Sequence, residues 1–163
     1  MATTTTDRIA GAPTTADQAA RAAQFLTPVV IDLEALVVNG KQAHWHARGA
    51  NFIGIHELLD DVVAHAQEYA DTAAERVIAL GLPLDSRIST VAKKTTLPEP
   101  AAGFQGWEDT VAEVVGMIDA ALVTVHAAIA GLEGSDVSTQ DVAVEIERGL
   151  TKDRWLLQAH VSA

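Results

Sequence analysis

The apolar residues near the start of the chain recur at a helical interval and end on a histidine. Leu26, Val30, Leu33, Val37, Gly40 and His44 follow one another at steps of four, three, four, three and four, the period that keeps one stripe of an α-helix turned toward a core. A strand would need strict alternation instead. The segment is therefore helix, and His44 continues its buried seam. The helix is expected from about Asp17, a plausible N-cap, to Ala47. Pro28 leaves two forms open: a helix that begins there with Thr27 as its cap, or a longer one that kinks.

Gly49 breaks this pattern, and a second helix is expected from Phe52 to Leu80, stopped by Gly81 and Pro83. Residues 84–106 contain Pro98, Pro100, Gly103 and Gly106, so they form a long connection that is mostly irregular, with a short helical piece over Ile88 to Lys93. A third helix follows over Trp107 to Leu132. A tight link through Gly134 and Ser135 leads to a fourth, about Ser138 to Val161. Only 4 % of the residues are aromatic while 48 % are hydrophobic, a balance that suits long helices packed through small side chains. The expected fold is all-α: a four-helix bundle with one long connection, which is ferritin-like topology.

The 163 residues make one domain, expected as a flexible N-terminal arm over 1–16 and the bundle over 17–163. Eleven Lys and Arg face 22 Asp and Glu, a net charge of −11, so the average field repels nucleic acid and anionic membrane. The most apolar run, Val111 to Leu132, is interrupted by Glu113, Asp119 and His126, which mark a helix with one buried face rather than a membrane span. No basic stretch followed by an apolar one opens the chain, and a cytoplasmic location is expected. With no cysteine, disulfides, thiolate zinc sites and Cys nucleophiles are excluded. Any metal must take nitrogen and oxygen ligands from the six His and the carboxylates.

On the second helix His56 and Asp60 stand four apart, as do Asp71 and Glu75, so each pair shares a face and can meet one ion. The pairs lie about 22 Å apart along the axis, too far for both to reach the same ion within one chain. They are, however, symmetric about a point between His65 and Ala66. A twofold axis there, with second helices antiparallel, sets His56 against the partner's Glu75 and Asp60 against the partner's Asp71, giving two identical intersubunit sites. His44, twelve residues before His56, comes beside it if the helices turn near Gly49. Two imidazoles and three carboxylates suit iron or manganese, and zinc can also occupy such a set.

The run Lys41-Gln42-Ala43-His44-Trp45-His46-Ala47-Arg48-Gly49-Ala50-Asn51-Phe52-Ile53-Gly54-Ile55-His56-Glu57, with Asp60, Asp71-Thr72-Ala73-Ala74-Glu75-Arg76 and Leu80-Gly81, strongly resembles the Dps family of ferritin-like mini-ferritins. The likeness extends to Lys152-Asp153-Arg154-Trp155-Leu156-Leu157-Gln158-Ala159-His160 and covers roughly residues 25 to 161. The resemblance implies a hollow dodecamer whose twofold interfaces hold ferroxidase centres made by His44, His56, Asp60, Asp71 and Glu75. There Fe(II) would be oxidised, by hydrogen peroxide or oxygen, and the ferric mineral stored in the cavity. By the same resemblance Trp45 lies near the centre and traps stray oxidising equivalents, or is a packed interface residue. Asp136, Asp141 and Glu145 either line a threefold entry channel or serve as cap and helix-dipole residues.

The chain departs from the family at three places. His46 stands where Asn is common, and it faces away from His44 as a surface or interface residue. Gln158 replaces a frequent Glu. The terminal arms carry no basic cluster, with Arg8 beside Asp7 and Asp17, which argues against the DNA binding that tails confer elsewhere in the family. His65, near the symmetry point, reads as a packed or pH-sensitive interface residue or an auxiliary ligand. His126 and His160 have no acidic partner at helical spacing and read as structural. A second reading of the same intersubunit site is a metal-dependent hydrolase of a small amide or ester, with Asp60 or Glu75 as general base.

Overall fold

The computed structural model describes residues 15–161. In chain order these form α1 (Ala16–His46), β1 (Ala47–Arg48), α2 (Phe52–Ala79), α3 (Ile88–Lys94), β2 (Gln105–Gly106), α4 (Trp107–Leu132) and α5 (Val137–Ala159). The long helices α1, α2, α4 and α5 make the bundle, and α3 sits in the connection between α2 and α4. The flexible arm expected over residues 1–16 lies, apart from its last two residues, outside the described residues.

The start of α1 is set by Thr15 rather than Asp17. The Thr15 hydroxyl accepts from the Gln18 amide while the Gln18 side chain accepts from the Thr15 N–H, a complete capping box. Asp17 instead falls in the first turn, where a negative charge favours the helix dipole. The helix runs on through Pro28, which resolves the two forms in favour of the longer one. Pro28 is exposed, so the carbonyl one turn earlier that loses its amide donor lies on the solvent side.

Leu26, Leu33 and Leu36 from α1, Ile55 and Leu59 from α2, Met117 and Ile118 from α4, and Ile146 and Leu150 from α5 are fully buried in one continuous core. By length and composition α1 and α4 could cross a membrane. Here they are core helices, with Leu26 to Leu36 of α1 and Val111 to Val125 of α4 supplying much of the bundle interior.

Three local features fix the end of the bundle where α1 meets α2. Gly40 lets the helices approach closely, since a Cβ there would stand 2.9 Å from Val63 Cγ2. Gly49 takes φ +119°, and a Cβ on it would lie 2.8 Å from the Trp107 ring, so both conformation and space demand glycine. Beyond the turn, β1 pairs in parallel with β2, Ala47 opposite Gln105 and Arg48 opposite Gly106. The Arg48 guanidinium lies 3.3 Å over the Phe104 ring. The long connection is thereby fastened to the turn that follows His44.

Its middle, just after α3, is held by a buried carboxylate. Asp32, 1 % exposed, accepts from the Thr95 hydroxyl (2.9 Å), the Thr96 amide (2.7 Å) and hydroxyl (2.8 Å), and the Thr124 hydroxyl (2.7 Å). This one side chain ties α1, the connection and α4 together.

Candidate metal centre

His44 ends α1 and His56 opens α2, and the turn at Gly49 folds them face to face. Their rings stack with centroids 3.6 Å apart and planes 22° from parallel. Each uses Nδ1 to donate to the other's backbone: His44 to the His56 carbonyl at 2.8 Å, His56 to the His44 carbonyl at 3.1 Å. A carbonyl only accepts, so both Nδ1 atoms carry a proton, and in the neutral form of each ring the lone pair falls on Nε2. Among the described residues neither Nε2 has a hydrogen-bond partner. Imidazoles oriented through Nδ1 by main-chain carbonyls are an arrangement that favours metal ligation through Nε2.

Asp60, one turn beyond His56, brings Oδ1 to 3.3 Å from His44 Nδ1. Its other close neighbour is the ammonium of Lys41, which donates to the same oxygen. That hydrogen bond, opposed by desolvation and helped by the charges of His44, Lys41 and His56, holds the Asp60 carboxyl below the usual carboxylate range. Lys41 is a functional neighbour the sequence reading passed over. Its signal is its position three residues before His44, on the same face of α1.

Asp71 and Glu75 are exposed further along α2, and they do not join the His44, His56 and Asp60 group within one chain. Among the described residues no three His, Asp or Glu side chains are gathered closely enough in one chain to hold an ion. His44, His56 and Asp60 are neighbours at the α1–α2 turn, and Asp71 and Glu75 stand apart from them. Trp45 is 63 % exposed and lines an open hollow with Arg48, Phe52 and Phe104. His46 points away from the pair: its Nδ1 donates to the Gln42 carbonyl at 2.8 Å, and its ring lies 5.5 Å from that of Phe104.

Of the three channel candidates, Asp136 has a clear local role. It is the N-cap of α5, accepting from the Ser138 amide, and it pairs with Arg76 at 2.6 Å. Desolvation works against its charge, but hydrogen bonds from Thr139 and Arg76 outweigh it and hold the carboxyl below the ordinary range. Asp141 and Glu145 are exposed on α5.

Two histidines read from sequence as lacking acidic partners or sitting at the symmetry point stand differently in the fold. His126 has Glu147 of α5 at 3.7 Å, a partner on a neighbouring helix that spacing along one helix cannot reveal. His65, five residues after Asp60, is turned about 140° around α2 from it. It meets Asp153 of α5, in the same chain, at 3.0 and 3.1 Å. His160 takes a hydrogen bond at 2.8 Å between its Nδ1 and the Asn51 amide.

This fold is that of a ferritin-like protein. A family model described as a ferritin-like domain matches residues 31–163. A DNA protection during starvation protein of Agrobacterium fabrum is 35 % identical over 133 residues, covering 81 % of this chain and 80 % of that protein. The DNA protection during starvation protein 2 of Deinococcus radiodurans is 28 % identical over 139 residues, 85 % of this chain but 58 % of its own length. The solved structure of Dps from Microbacterium arborescens in a high-iron form superposes with a TM-score of 0.88 at 63 % identity, covering 91 % of this chain and 97 % of that one. The chain belongs to the Dps family.

Proposed function

We propose that this protein stores iron and protects the cell from oxidative damage, binding Fe(II) as substrate at intersubunit ferroxidase centres and keeping the ferric product inside a closed shell of twelve chains in the cytoplasm. The observation that carries the reading is the reciprocal pairing of His44 and His56, whose Nε2 atoms have no hydrogen-bond partner among the described residues, with Asp60 adjoining His44. The partner's Asp71 and the partner's Glu75 would complete each centre. Its mixed nitrogen and carboxylate set binds Fe(II) and favours Fe(III) more strongly, because anionic oxygen ligands stabilise the higher charge.

Each of two Fe(II) ions gives one electron to hydrogen peroxide. The O–O bond breaks, both oxygens leave as water or hydroxide, and no one-electron oxygen radical is released. Hydrolysis of the two Fe(III) ions into mineral then liberates protons. This chemistry protects DNA without contact. Direct binding of DNA is not expected of an acidic chain whose adjacent lysines Lys93 and Lys94 stand at the end of α3.

Co-assembling a His56→Ala chain with a Glu75→Ala chain tests the shared centre. In a mixed pair one site loses both residues and the other is intact, so peroxide-driven Fe(II) oxidation should recover relative to either variant alone. No recovery, or a monomer as the dominant species by light scattering, overturns the reading.

A further inference from the structure

The core stripe of α5 contains a carboxylate where an apolar side chain would pack at less cost. Ala143, Ile146, Leu150, Asp153 and Leu157 are all buried and follow at steps of three and four. Asp153 is only 1 % exposed, so its carboxylate gives up most of its hydration. Asp32, the other buried carboxylate among the described residues, accepts four bonds from three threonines, none of which titrates near neutral pH. Asp153 is hydrogen-bonded, among the described residues, by His65 of α2 alone, a side chain that itself titrates. Nδ1 stands 3.0 and 3.1 Å from the two oxygens, and since a carboxylate only accepts, Nδ1 carries a proton. The His65 side chain is 39 % exposed and that of Asp153 2 %. The pair ties the middle of α2 to the core face of α5, and solvent reaches it through the imidazole.

Burial pushes the Asp153 carboxyl above the ordinary carboxylate range; His65 and Lys152 of α5 oppose the shift, and Asp61 of α2 adds to it. Lys152 and Asp61 are both exposed. Tyr69 of α2 has its ring centroid 6.2 Å from that of His65. Gly149 of α5 makes room for it, since a Cβ there would stand 2.0 Å from the Tyr69 hydroxyl oxygen. Burial first, then the charges of Asp153, Glu68 and Glu145, push the phenol up, so Tyr69 stays neutral at physiological pH and walls the pair without adding charge. Among the described residues α1 and α4 bring no hydrogen bond or ion pair to His65 or Asp153.

We propose that His65 and Asp153 form an acid-sensitive latch between α2 and α5, closed while the buried carboxylate holds the imidazole and open once that carboxylate is protonated. The proton comes from solvent past the exposed imidazole and ends on a carboxyl oxygen. The bond from Nδ1 then loses its charge assistance, about half its strength. A histidine gains charge in acid, and a cation beside a neutral carboxyl is better solvated in water, so the side chain turns outward and the middle of α2 loses its tie to α5. The opening is local. The folded carboxyl binds its proton more readily than the unfolded one, so the contribution of Asp153 to stability is full below the ordinary carboxylate range and is lost as pH rises through the folded value. Acid thus opens the latch without unfolding the bundle through this residue. The proposal does not rest on the iron reading.

The test is hydrogen-exchange mass spectrometry of the assembled protein, with rates corrected for the intrinsic effect of pH. From pH 7.5 to pH 5 the amides of residues 61–69 should exchange about fivefold to tenfold faster, the ratio expected when a charge-assisted bond becomes a neutral one. Amides of residues 111–125 in α4 should stay protected. Asp153→Asn, which cannot ionise, should show the faster rate at both pH values. An infrared band of a buried protonated carboxyl should grow over the same interval in the wild type and be missing from Asp153→Asn. If Asp153→Asn does not fold, His65→Ala/Asp153→Leu puts an apolar side chain in the core and should likewise give a rate at 61–69 that does not change with pH. Unchanged exchange in the wild type, or a pH response that survives in either variant, overturns the proposal.

Discussion

Replacing Asp32 by Ala removes the acceptor for four hydrogen bonds at once, from Thr95, twice from Thr96, and from Thr124. Each bond to a charged acceptor contributes about 1.5–3 kcal/mol. The gross loss is offset in two ways. The carboxylate's own desolvation, several kcal/mol, disappears with it. Thr95 and Thr124 are half-buried and Thr96 is exposed, so the freed donors regain water. The net cost should be about 3 kcal/mol, which for a chain of this size lowers the melting temperature by about 6–12 °C. Asp32→Asn keeps one carbonyl acceptor and should lose about half as much. Scanning calorimetry must be run at a fixed protomer concentration, because assembly raises apparent stability by mass action. Hydrogen exchange should show the Thr96 amide losing protection before the core of α4. A melting shift below about 2 °C together with unchanged protection at Thr96 would refute the view that this carboxylate anchors the connection.

Gly49→Ala should destabilise the fold by about 1–3 kcal/mol, because φ +119° is strained for alanine and its Cβ would press on Trp107; denaturant unfolding checks this. Asp136 has a folded-state pKa below its unfolded one, so its contribution is present above the ordinary carboxylate range and fades as pH falls through the lower folded value. The stability gap between wild type and Asp136→Asn should therefore be full at pH 6 and shrink as the pH is lowered through and below the ordinary carboxylate range. Affinity of the His44 and His56 site for Zn(II) should fall from pH 8 to pH 5, since an imidazole must shed its proton to bind metal; a flat calorimetric profile would count against both ligands. Plasmid DNA should show no gel shift at pH 7 and about 0.1 M salt, where the few phosphate contacts available release too few counterions to hold a complex.

The bundle was legible because its apolar positions keep a helical period and because Gly49, Gly81 and Gly134 punctuate it. The boundaries of α4 and the short α3 could be read to within a residue for the same reason. At the start of α1, Asp17 and Thr15 both suit a cap, and only the reciprocal bonds with Gln18 decide between them. The proximity of His44, His56 and Asp60 was legible because one turn and one helical step bring them together. Lys41 was missed because a surface lysine on an amphipathic helix ordinarily signals solvent. Asp32 and Asp153 were within reach, since each carboxylate interrupts an otherwise apolar stripe, a signal that spacing between like residues overlooks. Partners drawn from another helix, such as Asp153 for His65 or Glu147 for His126, leave no periodic trace at all.

The pairing of Ala47 with Gln105 has a kinetic consequence. The hairpin of α1 and α2 closes a short loop and can form early, whereas β1 and β2 meet only after the whole of α2, α3 and the connection have been laid down. Contacts between residues so far apart in sequence are slow to form, because the closure entropy must be met before they contribute. During synthesis the turn carrying His44 and His56 therefore emerges from the ribosome well before the segment that clasps it. The geometry of that turn becomes final only when Trp107 and the start of α4 are in place against Gly49.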